Sequence, residues 1–484
     1  MVNASKIRER EQTGQKEWSL SQILYVFLMG GLLCSYLIIQ AYDHESFSLP
    51  AWIAAVRIVA AISGIWLGKI WKDRGFLLII SLILIQIIRV VAKDAQLLFS
   101  DTVSTSVLNG LWVIGGCYSL GRILSTKQLK QLLKVLAAVW TTGIVIHCLI
   151  ALYGAWTDQE IINLHGGSIW TGGSIWGIIW EERLIISFLY PTMSGSVLSV
   201  YGVVILLVLI TARRKAAKVL YGLALLIVII TLSLTDARTS YISFSAGCGV
   251  MVGIYILHYI RNKDARTKCL TGGHEGNKSY SWLIAGISAV MVCVISIIVI
   301  SKITPLFNQL KTKGGLLYSI AYAEDQATTK LQVVSRGFGG SDVLSGRITI
   351  WKNIINYIFT DPIRLFFGTS IHDPMAGPNQ MMGYHMAHCH NMTLQILLES
   401  GIIGLALVFV FGFYTARNGF QIIKTNTIPL WIKLVPAFAF SVLVGDLAEC
   451  IGGFHEWKGP ALPFLFVACG IINVVGAKDK IKNT

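Results

Sequence analysis

HMAHCHNMTLQILLESGIIGLALVFVFGFY, residues 385–414, places three histidines, an Asn and a Gln at the mouth of a long apolar run that closes on Phe413 and Tyr414. A run of this length crosses a bilayer as a helix, because about 20 apolar residues span the hydrocarbon core. Polar side chains at the mouth of such a helix are costly to keep and usually functional. The stretch therefore points to a membrane bundle, with chemistry at one water–membrane boundary.

Composition agrees with that reading. Of 484 residues, 54% are hydrophobic and 13% charged, whereas a soluble domain carries about 25% charged residues. Apolar runs long enough to cross a bilayer can be read twelve times, over 23–42, 52–71, 76–92, 103–121, 135–153, 191–211, 219–235, 239–260, 282–303, 391–416, 428–445 and 460–476. Two are less regular: 52–71 contains Arg57, and 428–445 contains Lys433 and Pro436. The expected fold is all-α integral membrane, with about twelve transmembrane helices and a long, partly helical extracytoplasmic loop before span 10. No small-residue cleavage site follows the first apolar run, which reads as a retained span.

The net charge of +15 has a pattern. Lys and Arg gather in alternate polar segments: Lys6 to Lys16, Lys69 to Arg74, Arg122 to Lys134, Arg213 to Lys218, Arg261 to Lys278, Arg417 to Lys433 and Lys478 to Lys482. Basic loops stay inside, so these segments and both termini are expected in the cytoplasm, on a multi-pass protein of the cytoplasmic (inner) membrane. The basic excess sets topology, and nucleic acid is not an expected partner. The predicted organisation is a cytoplasmic tail 1–22, a bundle 23–303 with an outer loop 154–190, an extracytoplasmic loop domain 304–390, spans 10–12 over 391–476 and a tail 477–484.

A loop as long as 304–390 is usually functional or disordered. Within it, GRITIWKNIINYIF (346–359) carries Ile350, Trp351, Ile354, Ile355 and Ile358 at helical spacing, and Pro362 ends the pattern. This loop is expected to fold over the outer mouth of the bundle. The nine cysteines are scattered and form no CxxC pair, so a disulfide framework is not expected. No phosphate-binding GxxxxGK[ST] loop, HExxH or GxSxG is present.

Candidate chemistry lies on the outer side. His385, His388 and His390, with Cys389, form HxxHCH. Imidazole and thiolate suit zinc or copper, but the spacing is tight for one segment to wrap a metal. A surface patch without a role and a proton-accepting or substrate-positioning histidine beside Asn391 are the other readings. Asp236-Ala237-Arg238-Thr239-Ser240 is either a neutralised hairpin or a place where Arg238 clamps an anionic substrate bidentately. Ser240 falls near a helix start, where amides also favour anions. Arg183 either pairs with Glu181 and Glu182 or faces substrate. Trp156, Trp170, Trp176 and Trp180 share that loop with two Gly-Gly pairs and read as an interfacial belt or a platform for sugars. Arg347 either caps a turn or lines the cavity. Glu399, inside the span, is functional or paired. Arg57 and Arg89 snorkel or pair within the bundle.

HCHNMTLQILLESGIIGLALVF resembles the His-Asn…Leu-Gln…Glu-x-Gly-x-x-Gly-Leu signature of the O-antigen ligase / O-antigen polymerase family. Three further segments match in order: RLIISFLYPTMSG, LTDARTSYISFSAG and SGRITIWKNIINYIFTDPIRLFFGTS. The resemblance spans about residues 150–415 and departs at Thr192, where the family carries Asn, and at Asp-Ala-Arg, where Ser-Arg is usual. It implies a metal-independent inverting glycosyltransferase that needs no cofactor. Such an enzyme moves a glycan from an undecaprenyl-diphosphate carrier to an acceptor hydroxyl on a glycan, lipid or protein, outside the cytoplasmic membrane, in cell-envelope polysaccharide biosynthesis. By position, Arg183 and Arg238 would hold the diphosphate, His390 would activate or orient the acceptor, and Arg347 would support the loop or the diphosphate. Asn391, His388 and Trp180 complete the expected substrate contacts. A twelve-span transporter of lipid-linked glycan or polysaccharide is the alternative layout. It normally shows repeated halves, and none are visible here.

Overall fold

The computed structural model describes residues 18–34, 51–157, 179–180, 183–184, 186, 191–271, 278–321, 345–386, 388–449 and 461–483. Every one of the twelve apolar runs becomes helical within those limits. In chain order the helices are α1 (Leu20–Cys34), α2 (Ala51–Gly68), α3 (Arg74–Lys93), α4 (Asp101–Leu111), α5 (Thr126–Thr157), α6 (Pro191–Thr211), α7 (Lys215–Leu234), α8 (Arg238–Thr271) and α9 (Lys278–Ala321). They continue with α10 (Ser345–Phe359), α11 (Pro362–Phe367), α12 (Ala376–Met382), α13 (Met392–Lys424), α14 (Val435–Glu449) and α15 (Leu462–Asn483). A minimal antiparallel hairpin, β1 (Ile179–Trp180) with β2 (Arg183–Leu184), is the one departure from an all-helical chain among the described residues. Among the described residues eight helices are long and apolar enough to cross a membrane, and three shorter apolar ones accompany them. Among these, α9 turns Leu283, Ile287, Val290, Val294 and Ile298 outward. Such a continuous exposed apolar face suits a helix whose solvent is lipid.

Several helices outrun the apolar segments that announced them. α5 begins at Thr126 rather than 135, α13 runs to Lys424 rather than 416, and α9 carries on past 303 to Ala321. The extensions are rich in Lys, Gln and Leu, good helix formers that keep the hydrogen-bond ladder going in water. The run 103–121 is interrupted: α4 passes into a π-helical turn at Trp112–Cys117, followed by a short helix Leu120–Ile123. Arg57 on α2 is buried against this turn. Its guanidinium donates to Asn109 and lies 4.9 Å from the Trp112 ring, so it pairs inside the bundle rather than snorkelling. α14 starts only at Val435, after a short turn over Leu430–Lys433. Pro436 thus falls in the first helical turn, where a missing N–H costs nothing.

α8 is the central post, packed against α9, α6 and α14. Gly249 and Gly253 make the α8–α9 approach possible, since a Cβ at either would come within 2.4 and 2.8 Å of the Ala289 and Ala285 carbonyls. α8 and α14 are joined by a reciprocal pair: Ser243 Oγ donates to the Ser441 carbonyl and Ser441 Oγ to the Ser243 carbonyl, each at 2.7 Å. α13 packs on α3, α15, α14 and α11. In the segment expected to cap the bundle, α10 buries Ile350, Ile354 and Ile358, which with Met375, Cys389 and Leu398 form a small core of their own. Ile355, expected on the same face, is 39% exposed. The buried stripe follows strict i, i+4 spacing, and Ile355 falls one position past it.

Candidate functional site

The histidine segment is a loop held at several points. Asn391 is the N-cap of α13, its Oδ1 accepting the Leu394 N–H at 3.0 Å. Just before it, the backbone of Cys389 is bound on both sides: Trp351 Nε1 of α10 donates to its carbonyl at 3.0 Å, and its N–H donates to Gln395 Oε1 at 2.9 Å. Gln395 Nε2 in turn donates to Glu399 Oε1 at 2.7 Å. Gln395 and Glu399 are fully buried, one helical turn apart on α13. Asn379 brackets the start of the loop through both the N–H and the carbonyl of Met386.

His390 leaves this clamp in the left-handed region, φ 50°, a conformation that non-glycine residues adopt only when the surroundings enforce it. Its ring lies 4.2 Å from that of His388, whose Nδ1 accepts the His390 N–H at 3.2 Å. Both are half-buried, whereas His385 is exposed. Among the described residues no group of three or more His, Cys, Asp or Glu is arranged to hold a metal ion. The Cys389 thiol is buried and touches Met375 Sδ at 3.8 Å. Burial and, secondarily, the nearby Glu399 push its pKa well above the usual thiol value, so it stays protonated. Arg347, half-buried, precedes Trp351 by four residues on α10 and so shares the face turned to Cys389.

Beneath the loop, α13 is kinked. Gly401 has φ 65°, and a Cβ there would sit 2.3 Å from the Phe366 backbone. Gly368, φ 76°, makes the matching approach to Glu399 and Ser400. The carbonyl of Leu398, released by the kink, accepts from the N–H and Oγ1 of Thr369 at 2.7 and 3.0 Å. Arg89 on α3 pairs inward, donating to the Gly368 carbonyl at 3.1 Å.

Arg238 is the first residue of α8. The turn before it is tight: Asp236 is buried with φ 47°, and Tyr241 OH donates back to the Ser233 carbonyl at 2.5 Å. α6 closes on it through Gly195, where a Cβ would lie 2.4 Å from the Ala237 Cβ. The guanidinium is half-buried, and its Nη1 is buried without a hydrogen-bond partner. A buried donor left unpaired costs about 1–3 kcal/mol, more when charged.

Arg238 and the histidine loop stand at one end of the bundle, on either side of α14. The last turns of α14 meet α8 one turn after Arg238, where Gly445 abuts Ser243. The same turns, through Leu443 and Leu447, face Met392 and Ile396 across an apolar groove of about 540 Å³. The groove continues between α13, α14 and α15 toward Phe420 and Ile423 at the opposite end.

Arg183 and Trp180 pair within the hairpin, whose second strand packs beside α7. Their side chains lie outside the described residues, as do Glu181, Glu182, Trp170 and Trp176. Ile186 is anchored through both its N–H and carbonyl to Ser194 Oγ of α6, so the backbone following Arg183 is tied to the helix that closes on the Arg238 turn. Reasoning from the sequence alone missed the Gln395–Cys389 brace and the unpartnered Nη1 of Arg238. The i, i+4 spacing of Gln395 and Glu399 was a visible signal for the first; nothing local signals the second.

A family model described as O-antigen ligase matches residues 223–409, from α7 to the middle of α13. The match takes in Arg238, Arg347 and His390 and leaves Arg183 outside. No curated protein matches the chain.

Proposed function

We propose that this chain, whose residues 223–409 match a family model described as O-antigen ligase, is a multi-pass membrane protein and a metal-independent, inverting glycosyltransferase. It moves a glycan from an undecaprenyl-diphosphate carrier to an acceptor hydroxyl on the extracytoplasmic face of the cytoplasmic membrane, with both termini in the cytoplasm and twelve spans in all. One observation carries the reading. The buried, unpartnered Nη1 of Arg238 lies at a helix N-terminus, at the same end as a histidine held in a strained backbone conformation.

In the reaction, the bond between the sugar's anomeric carbon and the phosphate oxygen breaks as the acceptor oxygen attacks from the opposite face. His390 takes the proton of that hydroxyl. The departing diphosphate gains charge as the bond breaks, and Arg238 stabilises it with bidentate donors supported by the first amides of α8. Arg183 joins it on the diphosphate. Arg347, His388, Asn391 and Trp180 contact the glycan or keep the loop in register. The apolar groove opening beneath Met392, Thr393 and Ile396 suits a polyprenyl tail whose head lies at the histidine loop.

The test is glycan transfer from lipid diphosphate by purified protein, comparing wild type with Arg238→Ala, Arg238→Lys and His390→Ala. Arg238→Ala is expected to lose about 10²–10³-fold, as for removal of one charge-stabilising donor, and Lys to recover part of it, since it keeps charge without the planar fork. Full activity in both alanine variants would overturn the assignment. Movement of lipid-linked glycan across vesicles without transfer would favour a transporter instead.

A further inference from the structure

At the end of the bundle opposite the histidine loop, four cationic or basic side chains converge where α8, α13 and α14 meet. Lys433, in the turn that leads into α14, is 1% exposed, and its Nζ lies 3.4 Å from His258 Nδ1 on α8. Arg261, one turn beyond His258, donates from Nη1 to the carbonyls of Ile423 and Lys424 at 3.3 and 3.2 Å. It also lies 5.0 Å from the Trp282 ring. Lys424 is exposed, with Nζ 4.3 Å from the Phe420 ring. Trp282 and Phe420 pack together, ring centroids 5.4 Å apart.

Among the described residues no carboxylate is bonded to Lys433, Arg261 or Lys424; the ion pairs seen are Arg122–Asp73 and Arg364–Asp361. Burying an ammonium is expensive unless an anion faces it. Placing a guanidinium and a second ammonium nearby raises that cost. Among the described residues no carboxylate supplies that anion.

The surroundings say what kind of anion fits. Phe420 and Ile423, which carry Lys424 and accept from Arg261, also line the near end of the apolar groove, with Gly419 and Pro436 beside them. The cations therefore sit at the rim of an apolar channel, framed by a Trp and a Phe of the kind that mark membrane interfaces. A free phosphate would use the cations and leave empty the near end of the groove, the end remote from the histidine loop. A lipid with an anionic phosphate headgroup uses both. We propose that Arg261, Lys424 and Lys433 form a site for an anionic phospholipid of the leaflet opposite the histidine loop, its phosphate held by the cations and one acyl chain laid along α13 in the near end of the groove, beside Phe420 and Ile423. The site does not depend on the transfer reaction, and its failure would leave that reading intact.

Native mass spectrometry of the full-length detergent-solubilised protein, incubated with phosphatidylglycerol or phosphatidylcholine of identical acyl chains, tests this. Wild type is expected to retain the anionic lipid several-fold more than the zwitterionic one and to gain Tm with it. Lys424→Gln, an exposed position that leaves the fold untouched, and Arg261→Gln should each reduce that preference, and the double variant should bring it near one. Equal retention of both lipids by wild type, or an undiminished preference in the double variant, overturns the proposal. So does an equal Tm gain from inorganic phosphate alone, which would make the ligand a free anion.

Discussion

The polar interior of this protein is organised in two opposite ways. On the side remote from the histidine loop, Asp73 accepts from the Phe76 N–H, from Tyr118 OH at 2.6 Å and from Arg122 Nη1 at 2.6 Å. Asn473 donates to Tyr118 OH and Thr415 Oγ1 while accepting from Asn418. Donors meet acceptors, and the network ties α3, α13 and α15 to the turn after α4. At the histidine end, the loop backbone is equally well braced, yet Arg238 keeps a buried Nη1 with no partner. A fully satisfied network rigidifies, whereas an unpaired buried donor costs free energy. The contrast is between polar groups that satisfy one another and a buried donor left without a hydrogen-bond partner.

The contrast can be broken by exchange of phenotypes. Arg238→Ala should cost about 10²–10³-fold in transfer and leave the melting temperature unchanged or raised. Asp73→Ala should do the reverse, losing about 3 kcal/mol of stability because Tyr118 and Arg122 lose their shared acceptor, with turnover per folded molecule retained. Melting curves beside turnover on the same preparations would decide it; a large stability loss in Arg238→Ala would erase the distinction. Gln395→Leu removes the acceptor of the Cys389 N–H and lies between the two classes. It should lower kcat about tenfold with little change in KM for the lipid donor, in keeping with about 1–2 kcal/mol for a lost buried hydrogen bond. A kcat unchanged from wild type would mean that the brace does not position His390. The smallest effect concerns Cys389. With its pKa raised by burial, the thiolate forms only well above the ordinary thiol range. Iodoacetamide labelling of the folded protein at pH 8 should therefore lag far behind that of the denatured protein at this position, as peptide mass spectrometry would show.

Much of the fold could be read from the chain because its signals are local. Among the described residues the apolar runs are helical, with breaks in 103–121 and at the start of 428–445. Asn391 caps α13 as its position before the apolar run suggests, and the α10 pattern was right except at Ile355. What escaped were features without a local signature. The π turn at Trp112–Cys117 lies within an uninterrupted apolar run, and the helical course of 304–321 runs through residues that read as loop. At the site, Asn391 caps the helix that follows His390, and Arg347 lies on α10, whose Trp351 holds the Cys389 carbonyl. The brace that sets their geometry runs through Gln395, which the pattern marks only as a motif letter.

Sequence alone determined that this is a helical membrane bundle with its polar chemistry at helix mouths, because a helix satisfies its backbone within its own segment and needs no distant partner to form in an apolar solvent. Tertiary structure alone decided which mouths lie together. Arg238 and His390 are brought to the same end by α14, which packs on both α8 and α13. The bonds that fix the bundle join residues as far apart as Tyr118 and Asn473. Such pairings depend on which helix faces which, and that depends on the close fit of small residues and buried side chains along whole helices, a property no single segment carries.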